Sequence, residues 1–316
     1  MKMISRRQFL KLFGLGAGAI FFTHILSRFG LAQSGKEKFN NRTKKNIKTD
    51  HDLVSVKGED PGAITKKAIE ALGGMARFVK PQAVVLIKPN IGWDRAPEYG
   101  ANTTPEVVAA LVELCFSAGA KRVNVFDNTC NANQRCYENS GIKKAALAKG
   151  AQVYFADSWN VVKARFPFES TMENWPVFRD ALECDTFINV PILKHHGSTK
   201  LTLGMKNLMG VCSGNRGMMH VDLGTKIFEM ARFIVPELTV IDSYRYLKRH
   251  GPSGGDLNDV ELRKTVIASA DYVLADVYAS RSVDYDPNSI PYIAKAIEAG
   301  LGSATISGKD IVELTI

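Results

Sequence analysis

The sequence predicts a single large α/β domain over residues 53–316, built on a mostly parallel sheet with helices on both faces. Three observations predict it. Short runs dominated by Val, Ile, Leu and Phe recur along the chain, stretches of helical length separate them, and charged or amide side chains collect just after the runs. Alternation of this kind is what βαβ units around a buried, mostly parallel sheet produce. No internal repeat and no Gly/Ser-rich linker divides the span.

The elements follow in order. "AVVLIK" (83–88) reads as a strand. The helix "TPEVVAALVELCFSAG" comes next, with Thr104 at its cap, Pro105 at the first helical position and Gly119 closing it. "RVNVFD" (122–127) is the second strand, "GIKKAALAKG" a helix and "QVYFAD" (152–157) the third strand. An inserted lobe is expected around 157–183. "TFINVP" (186–191) returns to the sheet, "GST" makes a tight turn, and Lys206 and Asn207 fall on a helix. Helical spacing groups Leu201, Met205, Leu208 and Met209 as core. "TKIFEMARFIV" is a helix before the strand "LTVIDS" (238–243), and "YRYLKRH" reads as a short helix. "TVIASA" (265–270) and the helix "DYVLADVYASRSV" follow.

Residues 1–32 have a different character. "SRRQFLK", Ser5 to Lys11, resembles a twin-arginine export signal at every position, and a Gly/Ala-rich apolar stretch ending in "GLA" follows it. The resemblance implies export of the folded chain by the twin-arginine machinery. The expected location is periplasmic or otherwise extracytoplasmic, with the chain membrane-tethered if the signal is not cleaved. Because the receptor reads the pair, changing Arg6 and Arg7 together to lysine should leave precursor in the cytoplasm. Normal levels of processed protein outside would overturn that expectation.

Charge points the same way. The net +9 suggests nucleic acid at first sight, yet residues 1–32 hold five Lys and Arg and no acids. Segment 33–52 holds six basic and three acidic residues, which leaves only +1 on the remainder. Its Asn/Lys-rich composition reads as a disordered polar linker. A nucleic-acid partner is excluded, since the folded part lacks the electrostatic footprint.

Ligands of open α/β sheets bind outside the carboxyl ends of the strands. Lys88 and Asn90, Asp127, the run Lys194–His195–His196, and Asp242 stand at four such ends. Lys88, Asp127, Lys194, His195, His196 and Asp242, with Lys206 on the following helix, make the candidate catalytic set, and Asn90, Asn207 and His220 are the candidate substrate-binding groups. Clustered lysines suit a carboxylate or phosphate, and a buried lysine among like charges has a depressed pKa that permits general-base work. His195, His196 and His220 with Asp127, Asp222 and Asp242 offer acid–base partners or N/O ligands for a divalent metal, with Asp222 also a helix cap. Adjacent side chains in an extended segment point oppositely, so one of His195 and His196 faces the site. Cys115 reads as a small buried hydrophobe. Cys130 and Cys136 flank one polar loop, where an oxidising compartment favours a disulfide; a thiolate site with Cys184 and Cys212 is the alternative. The glycine stretches "SGNRG" (213–217) and "GPSGGD" (251–256) read as anion-facing loops or mobile surface, the first more as surface.

In this order, "IKPNIG", "NTTPEVVAALVELCFSAGAKRVNVFDN", "NVPILKHHGSTKLTLGMKNLMG", "TVIDS" and "GPSGGD" resemble the family catalogued as domain of unknown function 362. The layout of Lys and His at strand ends is also similar, at fold level, to nickel-dependent lactate racemases. Some members of the first family carry a ferredoxin-type C-x-x-C-x-x-C module for an iron–sulfur cluster, which this chain lacks. The residues point to an enzyme acting on a small anionic substrate by acid–base or metal-assisted chemistry. The alternative is a non-catalytic metal or cofactor carrier serving a redox partner.

Overall fold

Strand β2 (Val84–Pro89) is an inner strand of the main sheet, paired in parallel with β3 (Arg122–Val125) on one side and β7 (Thr186–Val190) on the other. The computed structural model describes residues 40–156, 160–302 and 305–316. The twin-arginine segment and the first part of the linker lie outside the described residues. No described helix is long and apolar enough to cross a membrane.

The remaining strands of the sheet are β1 (Leu53–Lys57), β4 (Gln152–Val153), β8 (Ile192–His196), β9 (Lys200–Thr202), β10 (Leu238–Leu247), β11 (Val260–Ser269) and β12 (Ile311–Thr315). Their order is β12-β1-β11-β10-β7-β2-β3-β4, with β8 and β9 continuing beside the far half of β10. Pairing is mostly parallel; β1–β11, β10–β11 and β8–β9 are antiparallel. Helices cover both faces. Leu86, Phe187, Ile241 and Ile267 point into one apolar core, while Val85, Ile87, Ile188 and Val240 point into the other. That alternation follows from the two-residue period of a strand. The second core is closed by α1 (Pro61–Ala71), α2 (Pro105–Ser117), α3 (Asn133–Asn139) and α4 (Ile142–Ala148). The first is closed by α7 (Leu223–Phe233), α8 (Tyr272–Arg281) and α9 (Pro291–Glu298). Off the main sheet, β5 (Val161–Lys163) and β6 (Pro176–Phe178) pair antiparallel ahead of the short helix α5 (Arg179–Glu183), within the stretch expected as a lobe.

Three local expectations are corrected. Residues 244–247, read as helical, continue strand β10, where Arg245, Tyr246 and Leu247 pair with β11 and Leu247 also with β8. Strand β11 runs antiparallel to β10, so these two strands form a long hairpin rather than another βαβ unit. Segment 33–52, expected as a disordered linker, is anchored in its described part. The Arg42 guanidinium is buried and forks onto both carboxylate oxygens of Glu237 at 2.7 Å each. Composition could not show this, because one bidentate pair within a polar stretch outweighs its average character.

Pro191 separates β7 from β8, and here β10 changes partner. Leu238 and Thr239 pair with β7, whereas Asp242 and Leu247 register with Ile192 and Lys194 on β8. Beyond Pro191 the chain thus follows β10 and leaves the end of β2, opening a crevice at the carboxyl ends of the strands.

Candidate active site

Lys88 stands in register with Asn189 of β7, on the same face as Leu86. Its ammonium is buried with three acceptors: Asp127 Oδ1 at 2.7 Å, Pro89 O at 2.9 Å and Asn207 Oδ1 at 3.1 Å. Asp127, two residues beyond β3, also accepts the Ile91 N–H at 2.7 Å and the Asn128 N–H at 2.9 Å. Burial lowers the Lys88 pKa against the opposing pull of Asp127.

Asn207 ends the short helix α6 (Gly204–Asn207), and its amide is fully used. Its nitrogen donates to Asn189 Oδ1 at 2.9 Å and Lys88 O at 3.2 Å, while its oxygen accepts from Lys88 and, at 3.1 Å, from Asn90 Nδ2. Helix α6 is itself pinned by Asp276 of α8, which accepts the Gly204 N–H at 2.7 Å and the Met205 N–H at 2.9 Å. The Lys194 head reaches Asn90 Oδ1 at 3.2 Å and Ala101 O at 2.5 Å. One hydrogen-bonded chain therefore runs Lys194–Asn90–Asn207–Lys88–Asp127 across four separate segments.

These groups line a cavity of about 460 Å³, together with Lys206, His196, His220, Arg216, Trp93 and Cys130. Its wall holds three lysines, one arginine and one carboxylate, Asp127. Burial, then the Lys206 charge, pushes Lys194 down to about 7. Burial does the same to Lys206, down to about 8, with Arg216 and Lys88 adding to the effect. His196 is held near 3 by burial and by Lys206 and Lys194, so it is neutral. Its Nδ1 accepts the Ser198 N–H at 3.1 Å, which assigns its proton to Nε2.

The structure brings together Lys88, Asn90, Asp127, Lys194, His196, Lys206, Asn207 and His220. Two of the expected residues stay outside. His195 points away from the cavity, as the strand alternation requires, and its Nδ1 accepts the Gly251 N–H at 3.2 Å. Only glycine fits at Gly251, since a Cβ would fall 2.0 Å from His195 O. Asp242 is fully buried and is spent on backbone, accepting the Thr104 N–H at 2.6 Å and the Tyr244 N–H at 2.9 Å. It thus caps α2 from across the sheet, in place of the Thr104 side chain, which makes no cap bond. Asp222 occupies the cap position of α7 without a side-chain cap bond.

The expected disulfide is also corrected. Cys130 and Cys136 are both free, because Cys130 faces the cavity while Cys136 is buried on α3, 3.8 Å from Gly92 O. Cys115, Cys184 and Cys212 are buried as well. In the native protein an alkylating reagent should label Cys130 alone, with Cys136 labelled after unfolding without reductant. A Cys130–Cys136 cross-link in non-reduced peptides would overturn this. As for a metal, no three described His, Cys, Asp or Glu side chains are placed to hold one. Among the described residues His196, His220, Asp127 and Cys130 of the cavity do not form such a group.

Sequence reasoning missed Arg216 and assigned Cys130 elsewhere. The loop "SGNRG", read as surface, brings the Arg216 guanidinium to Asn128 O at 2.7 Å and Thr129 O at 2.5 Å. Its only sequence signal was an arginine between two glycines.

A family model described as a domain of unknown function, DUF362, matches residues 85–281. The chain belongs to this family. The DUF362 span contains every residue that lines the cavity. A thylakoid-associated protein of Synechocystis sp. is 29% identical over 256 residues, covering 76% of this chain and 75% of that protein. Among solved structures, the lactate racemase apoprotein of Thermoanaerobacterium thermosaccharolyticum is similar at 13% identity and a TM-score of 0.45, covering 77% of this chain. A Thermotoga maritima protein is similar at 13% identity and a TM-score of 0.44, covering 71% of this chain. This DUF362 chain spans 59% of the length of each of those two structures.

Proposed function

We propose that this protein is an enzyme acting on a small anionic molecule, a carboxylate or phosphate, by proton transfer in the strand-end cavity. One observation carries the reading: Lys88, Lys194, Lys206 and Arg216 share a wall whose one carboxylate, Asp127, is already paired. Gathering cations away from water is costly unless an anion compensates them. Lys206 and Arg216 hold the anion, Asn90 and Asn207 orient the lysine heads, and Lys194 moves the proton. A lysine poised near neutral pH can both take and return a proton at useful rates. The reading extends to export, so the substrate is met outside the cytoplasm.

The test is a thermal-stability titration with phosphate, lactate and pyruvate across pH. Affinity should fall as pH rises through about 8, where Lys206 loses its charge. A pH-independent response, or none, would reject the reading.

The empty protein supplies a second pH signature. The folded-state pKa of Lys194, about 7, lies below the ordinary 10.5, so between them the unfolded chain binds more protons. Stability therefore rises with pH over that window and is lost as pH falls through it. Denaturant unfolding at several pH values should show this slope, and Lys194→Met should remove it between about 7 and 8 while leaving the part that Lys206 contributes above about 8.

A further inference from the structure

We propose that Lys194 is a nucleophile, and that its amine forms an imine with the carbonyl carbon of a small oxo-carboxylate held in the cavity. This rests on the anion-site reading above, names the substrate class for it, and gives the Lys194 amine a covalent role in place of direct proton transfer.

The argument starts from valence. An ammonium has three N–H donors and no lone pair, whereas a neutral amine has two donors and one lone pair. Lys88 meets three acceptors, one of them a carboxylate, and its surroundings are those of an ammonium. Lys194 meets only two, Asn90 Oδ1 and Ala101 O, both uncharged. Those two take both N–H bonds of a neutral amine, and its third direction is left for the lone pair, on a side chain that lines the cavity. The charged groups around it act the same way. Lys206 and Lys88 disfavour a further cation, Asp127 is engaged by Lys88, and neutral His196 adds no negative charge. Desolvation beside another cation is an established way to activate a lysine as a nucleophile.

The rest of the wall suits an oxo-carboxylate. Lys206 has no hydrogen-bond or ion-pair partner among the described residues, so its charge is available to the carboxylate. His196, with its proton on Nε2, is a neutral donor suited to the carbonyl oxygen. In the step, the Nζ lone pair forms a bond to the carbonyl carbon and the C=O pair moves to oxygen. The oxygen then leaves as water with both amine hydrogens as the C=N bond closes. Nothing is oxidised or reduced. Protonation of the imine from solvent gives an iminium, whose charge is balanced by the substrate's own carboxylate.

The experiment is reductive trapping of the full chain with cyanoborohydride, whose hydride converts C=N to a stable secondary amine. Intact mass and peptide mapping then locate the adduct, and thermal stability is measured in parallel with pyruvate, lactate and acetone. The expected result is one adduct per chain at Lys194 with pyruvate, and none there with lactate, which lacks the carbonyl. Acetone, which lacks the anion, should give at least ten-fold less. In Lys194→Arg the site adduct should vanish while background labelling of exposed Lys200 is unchanged. Stabilisation by pyruvate and lactate without any Lys194 adduct overturns the imine and leaves the anion site standing. No stabilisation and no adduct overturns both. An adduct spread evenly over exposed lysines also overturns the imine.

Discussion

Replacing Lys194 by methionine should sharply weaken binding of small oxo-carboxylates while the protein still folds. In the wild type, Lys194 lies deep in the cavity beside Lys206, and its head is held by Asn90 and Ala101 O. Methionine of similar length keeps the packing and removes the amine. Two effects on stability oppose each other. Loss of a partly charged buried amine is favourable, whereas the Ala101 carbonyl and the Asn90 amide each lose a donor, at about 1 kcal/mol apiece. The net change should stay within about 2 kcal/mol, while truncating a buried polar anchor weakens binding by about 2–5 kcal/mol. Calorimetric titration with pyruvate and urea unfolding measure the two quantities separately. Lys200→Met is the control: Lys200 is exposed at the β8–β9 turn, and its replacement should alter neither. Wild-type affinity in Lys194→Met would remove Lys194 from the binding of these ligands.

Replacing Asp127 by alanine should be the most destabilising change in the site, by about 3–5 kcal/mol, the usual cost of stranding one member of a buried ion pair. The carboxylate neutralises Lys88 and accepts two backbone N–H groups, so alanine leaves an unpaired cation and two orphaned donors. Gly210→Ala attacks the same pair from outside. A Cβ there would lie 1.9 Å from Asp127 Oδ1 and 2.5 Å from Lys88 Nζ, so the two heads must separate. Its effect should run in the same direction and also empty the cavity of ligand. Urea midpoints for the two variants decide the matter, and a loss below about 1 kcal/mol for Asp127→Ala would contradict the pairing.

Much of the site was legible because the strands announce their own ends. Lys88, Asp127 and Lys194 each follow a run too apolar to be anything but buried, so their heads had to emerge at one edge. The choice between His195 and His196 was open in sequence and was made by the register of β8 against β9, where His196 opposes Lys200 and His195 opposes Leu201. Arg216 was not legible, since nothing local distinguishes an arginine that folds back onto Asn128 and Thr129 from one in solvent. Asp242 looked equivalent to Asp127 in every local respect. It differs because the first turn of α2 needed an acceptor and Asp242 was the carboxylate within reach.

By itself the sequence determined what depends on neighbours along the chain: the α/β class, the apolar strand interiors, the start of α2 at Pro105, and the placing of lysines at strand ends. Only the tertiary structure decided which heads meet. It made β10 and β11 a hairpin, anchored the supposed linker through Arg42 and Glu237, separated Cys130 from Cys136, and withdrew Asp242 into a cap. The reason is that a buried polar group takes the partner that the packed elements leave unsatisfied. That partner lies 36 residues away for the Asp127–Ile91 bond and 104 for Lys194–Asn90, beyond any local pattern.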